Sequence, residues 1–339
     1  MSKVIMKDMQ KSLEETRSNL AHWLETVPVE EKEILLGPQG ENELQIRLHV
    51  IDEALEKAED GTLGVCTVCH EVVDGSLLQM DYTACVCLDH YSEQERRELE
   101  NELELSQVVQ RALLPQQIPS TAGMEIAVFS RPAQIVSGDY FDFLQFKDGN
   151  HGFVIGDVSG KGMSAGMLMS SLQTAFHTLV PESDSPIRVL EKINHLYIHN
   201  INFTTFVTIF FGKIDPLTKT LTYSNAGHNP AFLYRHAKKQ GEWLQPTGAA
   251  IGLMEQFNVR SRNVQLESKD VLLLYTDGVT EAINRQSHQY GSERLADVIK
   301  QNEELSTEDL IQKILEALNN FIGSQPLGDD ITLVVCKVR

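Results

Sequence analysis

Two strand-like apolar runs, Phe206–Ile214 and Lys219–Ser224, flank the turn Ile214-Asp215-Pro216-Leu217. So short a connection permits only an antiparallel hairpin, because a parallel pairing needs a crossover of a dozen residues or more. Further strand-like runs stand at Glu125–Ser130, Gly152–Asp157, Ala231–Tyr234, Val271–Tyr275 and Ile331–Val338. Helical patterns fall near 163–180, 186–200, 291–301 and 306–322. Strands dominate the middle and several are neighbours. The pattern predicts an α/β (α+β) domain of antiparallel sheets with flanking helices, rather than a doubly wound parallel sheet.

Before residue 120 the texture differs. Met6, Met9, Leu13, Leu20, Trp23 and Leu24 fall at helical spacing, and Pro28 ends that helix. The acidic stretch 29–43, with Gly37-Pro38 and Gly40, reads as a loop or hairpin tip. Leu44, Leu48, Ile51, Leu55 and Ala58 follow at alternating steps of four and three, a coiled-coil seam. Two such helices predict an antiparallel α-helical hairpin. A third helix at 92–114 carries Leu99, Leu103, Leu105, Val108, Val109, Ala112 and Leu113 and stops at Pro115. Its apolar stripe needs burial, against a copy of itself in a homodimer or against the domain that follows. The expected division is 1–91, a helical linker at 92–119, and 120–339.

The formal net charge of −19 argues against nucleic acid or an anionic membrane as the main partner. No run approaches the ~18 consecutive apolar residues of a membrane span, and the N-terminus lacks an apolar secretory core, so a cytoplasmic location is expected. Four of the five cysteines, Cys66, Cys69, Cys85 and Cys87, cluster in one segment, which points to metal rather than disulfides. Cys66-x-x-Cys69 and Cys87-x-x-His90 are two knuckles, 17 residues apart. Together they predict a tetrahedral structural zinc site of Cys66, Cys69, Cys87 and His90. The alternatives are Cys85 in place of His90, or four free thiols. Cys336, in the terminal strand, reads as an inert core thiol.

The segments Ile51-Asp52-Glu53-Ala54-Leu55 and Gly61-Thr62-Leu63-Gly64-Val65-Cys66-Thr67-Val68-Cys69-His70-Glu71-Val72-Val73 resemble the DksA/TraR family of zinc-finger proteins. That family joins a coiled-coil hairpin to a four-ligand finger. The chain departs from it at His90, where a fourth cysteine is usual. It also lacks an aspartate in the tip near 26–43. The resemblance implies a sensory or dimerisation module.

Five aspartates carry the chemistry. Asp139 precedes the aromatic run Tyr140, Phe141, Phe143. Asp157 ends the run from Phe153, with Gly160 and Gly162 after it. Asp277 follows Val271–Thr276 and precedes Gly278. Asp329 and Asp330 open the last strand after Gly328. Any one of them alone is a common turn residue. Carboxylates at strand ends converge, and converging carboxylates hold magnesium or manganese. Two such ions side by side activate water for phosphate-ester hydrolysis. The glycines also leave the Val158 carbonyl open as a further ligand.

The order of these motifs resembles the PPM family of metal-dependent serine/threonine phosphatases (protein phosphatase type 2C), in its bacterial SpoIIE/RsbU-like branch. The strings are Leu105–Pro115, Pro132–Asp142, Gly156–Gly162, Asn225–Pro230, Tyr275–Ala282 and Gly328–Val335. The resemblance covers about 100–339 and implies a two-sheet sandwich with a dimetal site at one end. It implies that Asp157 bridges two Mn2+ or Mg2+ ions, that the Val158 carbonyl ligates one, and that Asp277 and Asp329 hold the other. Asp139 is implied at or just behind the site, with Asp330 supporting. Ser137 stands where a glycine is frequent, and Ser159 where eukaryotic relatives carry a general-acid histidine. His228 is either a proton donor in its place or a structural histidine of a Gly-Asn-Pro turn. Lys161 reads as a phosphate contact or a solvated lysine, and Met163, Met167 and Met169 as helix core.

The function these resemblances imply is dephosphorylation of phosphoserine or phosphothreonine on an anti-sigma-factor antagonist of the STAS type. The zinc module and the linker helix would regulate it. The alternative is a DksA-like transcription regulator whose phosphatase fold serves for docking.

Overall fold

In the computed structural model, placement is described for Gln10, Leu13, Glu14, Arg17, Ser18 and Ala21, and for 40–71, 73, 86–90, 92–118, 123–133, 135–159, 162–200, 206–255, 257–325 and 327–339. Most of the first helix, the tip up to residue 39, Cys85, Gly160 and Lys161 lie outside the described residues. The chain divides into two compact units, Met1–Glu102 and Leu103–Arg339.

In the first unit, helix α1 spans Gly40–Glu59, so its start lies in the stretch expected to be loop. Ile51 of its seam and the adjacent Ala54 are buried with Leu13 and Leu63, and the seam residues Leu55 and Ala58 pack against them. Arg17 pairs with Asp52. Helix α2 (Glu93–Leu113) matches its expected bounds. Among the described residues part of its stripe stays uncovered: Leu105 is 64%, Val108 61% and Val109 53% exposed.

The second unit is built on two five-stranded antiparallel sheets. The strands are β1 Met124–Arg131, β2 Asp139–Gln145, β3 His151–Val158, β4 Val207–Asp215, β5 Thr220–Ala226, β6 Ala231–Arg235, β7 Gln240–Leu244, β8 Arg262–Gln265, β9 Val271–Tyr275 and β10 Ile331–Val338. They are ordered β1-β10-β9-β6-β7 and β2-β3-β4-β5-β8. The helices are α3 Met163–Leu179, α4 Pro186–Asn200, a single turn α5 Asp277–Thr280, α6 Ser292–Asn302 and α7 Thr307–Ile322.

Central strands bury both faces, which is why they read as continuous apolar runs. Leu272 and Leu274 point between the sheets with Ile155, Phe210, Val334 and Cys336. Val271, Leu273 and Tyr275 face the other way, against α6 and α7. In the second sheet, Val154, Ile209 and Phe211 pack under α3 and α4 with Leu172 and Phe176. The layers are therefore helix, sheet, sheet, helix, as expected for residues 120–339. Cys336 is buried, and burial pushes its thiol up to about 12, so it is inert at neutral pH.

Strands β2, β7 and β8 were not anticipated. In β2, Asp139-Tyr140-Phe141-Asp142 is buried on both faces and shows no alternation. The other two are short edge strands, QGEWL and RNVQ, whose exposed polar residues carry no strand signal. The methionines also divide: Met169 is core as expected, but Met167 is 70% exposed, because it lies on the outer side of α3. Among the described residues no helix is long and apolar enough to cross a membrane.

Asp270 closes the turn into β9. Its carboxylate, 1% exposed, accepts from Arg235 Nη1 (2.9 Å) and from the backbone N–H groups of Glu267 (3.0 Å) and His236 (3.1 Å). Removing it leaves two amides without their acceptor and takes the buried partner from a guanidinium that keeps only Glu242 and the Gln265 carbonyl, a loss of roughly 3 kcal/mol. Urea unfolding should show that loss for Asp270→Ala. Glu316→Ala, at an exposed i,i+3 pair with Lys313, should stay within about 0.5 kcal/mol. Equal midpoints for the two variants would contradict the assignment.

Candidate active site

Antiparallel pairing sets Asp139 of β2 directly opposite Asp157 of β3, and Asp157 opposite Thr208 of β4. In the other sheet, β9 ends at Tyr275 and Asp277 opens α5, while Asp329 and Asp330 precede β10. The two sheets thus bring their aspartates to one end of the sandwich. A cavity of about 210 Å³ lies there, and its wall includes Asp157, Val158, Ser159, His228, Asp277 and Asp329. Asp329 and Asp330 also border a second cavity of about 160 Å³, beside Ala133 and Gly162.

The sheets meet closely at this end. A Cβ on Gly278 would fall on the Asp330 carbonyl oxygen, so only glycine allows α5 to lie against the start of β10. The Asp330 carboxylate accepts from Ala133 N–H (2.7 Å), Gly138 N–H (2.8 Å) and Ser137 Oγ (2.7 Å). This explains the departure at 137: the serine hydroxyl is a strut that a glycine could not supply. Asp330 is therefore a clamp between β10 and the approach to β2.

Asp139 lies behind the cavity rather than in its wall. Its Oδ2 accepts from Thr276 Oγ1 (2.8 Å) and Thr332 Oγ1 (2.7 Å). Burial, and then the charge of Asp157, raise its carboxyl well above the ordinary range. The two threonines, one on each side of the β9–β10 pair, were not singled out from the sequence. Each is a plain Thr in a strand-end motif, and only the register reveals its partner.

Ser159 accepts from the Phe206 N–H (2.9 Å), tying the chain after β3 to the start of β4. His228 is not merely a turn residue. It is 3% exposed, stands in the cavity wall, and contacts Thr208 Oγ1 through Nδ1 (2.9 Å). Burial lowers it to about 4, against a raising influence from the Tyr275 backbone. At neutral pH it therefore holds no second proton to give to a leaving group.

Linker helix α2 reaches this region through polar groups. Gln110, 7% exposed, donates through Nε2 to the Ser137 carbonyl (2.7 Å) and accepts from the Ser137 N–H through Oε1 (2.8 Å). Gln107 donates to the Ile135 carbonyl (3.0 Å). Sequence reasoning weighed the apolar stripe and missed these glutamines, which are the groups that dock.

Among the described residues, two groups bring three or more possible metal ligands within 4.8 Å of one another. One is Cys66, Cys69, Cys87 and His90. The other, His236, Glu303 and Glu304, is an ion-pair network closed by Lys239. The cavity aspartates are not a third such group. In the cysteine group, Cys69 Sγ lies 3.8 Å from Cys87 Sγ, and Cys66 Sγ lies 3.6 Å from His90 Nδ1. Cys66 Sγ also accepts the N–H groups of Val68 (3.4 Å) and Cys87 (3.3 Å).

Comparison with known proteins agrees with this architecture. The family described as Stage II sporulation protein E (SpoIIE) matches residues 147–339. The chain is 28% identical over 242 residues to the phosphoserine phosphatase RsbU of Bacillus subtilis (strain 168), covering 71% of each protein. It is similar in fold to the SiaA-PP2C domain of Pseudomonas aeruginosa, with a TM-score of 0.65 at 19% identity over 72% of this chain and 99% of that one. It also resembles RsbX, solved in complex with magnesium, with a TM-score of 0.51 at 15% identity over 66% of this chain and 99% of that one. With its two-sheet fold and its strand-end aspartates, the chain belongs to the SpoIIE family of PP2C-type serine phosphatases.

Proposed function

We propose that the chain removes phosphate from phosphoserine or phosphothreonine of a protein, using two Mn2+ or Mg2+ ions. The observation that carries this reading is the convergence of Asp157, Asp277 and Asp329, from three separate elements, on one cavity with Val158 in its wall. Carboxylate and carbonyl oxygens are the donors such hard cations take. Asp157 is assigned as the bridging ligand, the Val158 carbonyl as a ligand to one ion, and Asp277 and Asp329 as ligands to the other. Such a pair supplies an activated water and neutralises charge on the phosphoryl group. The chain's own residues do the rest. Asp139, braced by Thr276 and Thr332, backs Asp157 across the β2–β3 ladder, and Asp330 holds the approach to β2 against β10.

The likeness to RsbU supports a phosphorylated anti-sigma-factor antagonist of the STAS type as substrate. Linker helix α2, hydrogen-bonded to Ser137 beside the Asp330 clamp, supplies a route by which the N-terminal module regulates the site. The exposed Leu105, Val108 and Val109 face fits a homodimer through the linker.

The cysteine group is assigned one structural zinc. Tetrahedral zinc, with Zn–S of ~2.3 Å and Zn–N of ~2.0 Å, sets ligand separations of about 3.8 Å for two sulfurs and about 3.5 Å for sulfur and nitrogen. The corresponding distances here are 3.8 and 3.6 Å. The N–H···S bonds to Cys66 supply the outer-sphere support that thiolate ligands need.

Manganese should drive release of phosphate from a phosphoserine STAS-domain protein, and Asp157→Asn or Asp277→Asn should reduce the rate by at least about 10²-fold. Activity that is absent, or that survives both substitutions, contradicts the enzyme reading and favours a docking module. Metal analysis of the full chain should find one zinc per chain, lost in Cys66→Ser together with normal control of the phosphatase rate. A zinc-free protein, or an unaltered rate without zinc, counts against the module's role. Sedimentation should give a dimer that Leu105→Glu with Val108→Glu converts to monomer; a monomeric parent chain rejects the linker interface.

A further inference from the structure

The short turn that follows Ile251 holds two apolar side chains out in solvent. Leu253 and Met254 are consecutive and each about half exposed, with the exposed Glu255 beside them. Single exposed apolar residues are ordinary, but an adjacent pair held rigidly in water calls for a reason.

The turn is fixed along its whole length. Ile251, itself buried, exchanges both backbone hydrogen bonds with Val207: its N–H donates to the Val207 carbonyl (2.8 Å) and its carbonyl accepts the Val207 N–H (2.9 Å). Gly252 then turns the chain at φ +86, a conformation that glycine adopts without strain. Asn194 of α4, a buried side chain, accepts the Gly252 N–H through Oδ1 (2.9 Å) and donates through Nδ2 to the Met254 carbonyl (3.1 Å). Leu253 is thus bracketed by the two arms of one amide. Phe257 closes the turn: its N–H donates to the Glu255 carbonyl (3.0 Å), and its side chain packs on the core beneath α3 and α4.

Register places this turn beside the aspartate cavity. The Val207–Ile251 pair is antiparallel, so the chain beyond Ile251 runs alongside the residues that precede Val207. Phe206, the first of these, lies in the cavity wall with Thr208. Leu253 and Met254 therefore stand past the start of β4, at the end of the sandwich where Asp157, Asp277 and Asp329 meet.

Size and charge select the occupant. A cavity of about 210 Å³ admits a phosphorylated side chain but not a protein, so the body of a phosphoprotein must rest on the surrounding rim. The chain carries a net charge of −19, and long-range charge does not draw a phosphate-bearing partner to it. An uncharged apolar pair supplies affinity without that penalty. A turn already fixed by Asn194 also loses little freedom on docking.

We propose that Leu253 and Met254 form the docking rim for the phosphoprotein substrate, seating an apolar patch next to its phosphoserine, and that Asn194 is the residue that positions them. This rests on reading the cavity as the phosphatase site. The test compares kcat/KM of the Mn2+-loaded full chain toward a phosphoserine STAS-domain protein and toward p-nitrophenyl phosphate, which is too small to cover the cavity and the rim together. In Leu253→Ser with Met254→Ser, the ratio of the two values should fall roughly 10–30-fold, through a higher KM for the protein substrate at unchanged kcat. Leu253→Met with Met254→Leu, which keeps the apolar surface, should hold the ratio within about 2-fold of the parent. A ratio that the serine variant leaves unchanged overturns the proposal and leaves the phosphatase reading standing. So does an equal loss toward both substrates, which marks the turn as structural. Conversion of a dimer to monomer by the serine variant, at an unchanged ratio, assigns the pair to a contact between copies of the chain and overturns it as well. A parent chain active on p-nitrophenyl phosphate but not on the phosphoprotein removes the assigned substrate and the rim with it. One that hydrolyses neither overturns the phosphatase reading too.

Discussion

The Asp330 carboxylate is the joint on which the site depends. It belongs to the turn before β10, in one sheet, and accepts three hydrogen bonds from the segment that enters β2, in the other. Each charge-assisted bond is worth about 1.5–3 kcal/mol when shielded from water. Its neighbour Asp329 faces the cavity, and Asp139 lies just beyond Ser137 and Gly138. One residue thus fixes the separation between the two sheets where their aspartates meet. Gly278 completes the joint, because any side chain there would displace the Asp330 backbone.

Such a joint is needed because the arrangement is electrostatically unfavourable without cations. Asp139 and Asp157 are direct cross-strand neighbours, and like charges at that spacing destabilise a sheet. Part of the repulsion is relieved because burial, and then the charge of Asp157, raise the Asp139 carboxyl well above its ordinary range, against the lowering influence of the hydroxyls of Thr332 and Thr276. Asp157, Asp277 and Asp329 line the cavity. A rigid sandwich core, filled by Phe210, Leu272, Leu274 and Val334, carries this strain at its edge.

The catalytic half was legible because its central strands are buried on both faces and end in Asp-Gly or Gly-Asp motifs. Their apolar runs gave the strand positions to within two residues, and the Asp215-Pro216 turn gave the antiparallel sense. Strands β7 and β8 were invisible because edge strands with exposed polar residues lack periodicity. The roles of Thr276, Thr332 and Gln110 were hidden for another reason. A hydroxyl or amide acquires meaning only from its partner across a ladder or from another element, and no local pattern records that. The stripe on α2 was read correctly as apolar, but the same helix docks on Ser137 through Gln110, leaving Leu105, Val108 and Val109 outward.

The central claim is that strand-end aspartates from both sheets hold cations in a single cavity. Anomalous diffraction from crystals of the full chain grown with Mn2+ tests it most directly. The account predicts manganese peaks at about 2.2 Å from carboxylate oxygens of Asp157, Asp277 and Asp329, the distance expected of oxygen ligands to such an ion. Ordered manganese elsewhere on the molecule, with no peak beside those three carboxylates, would contradict it.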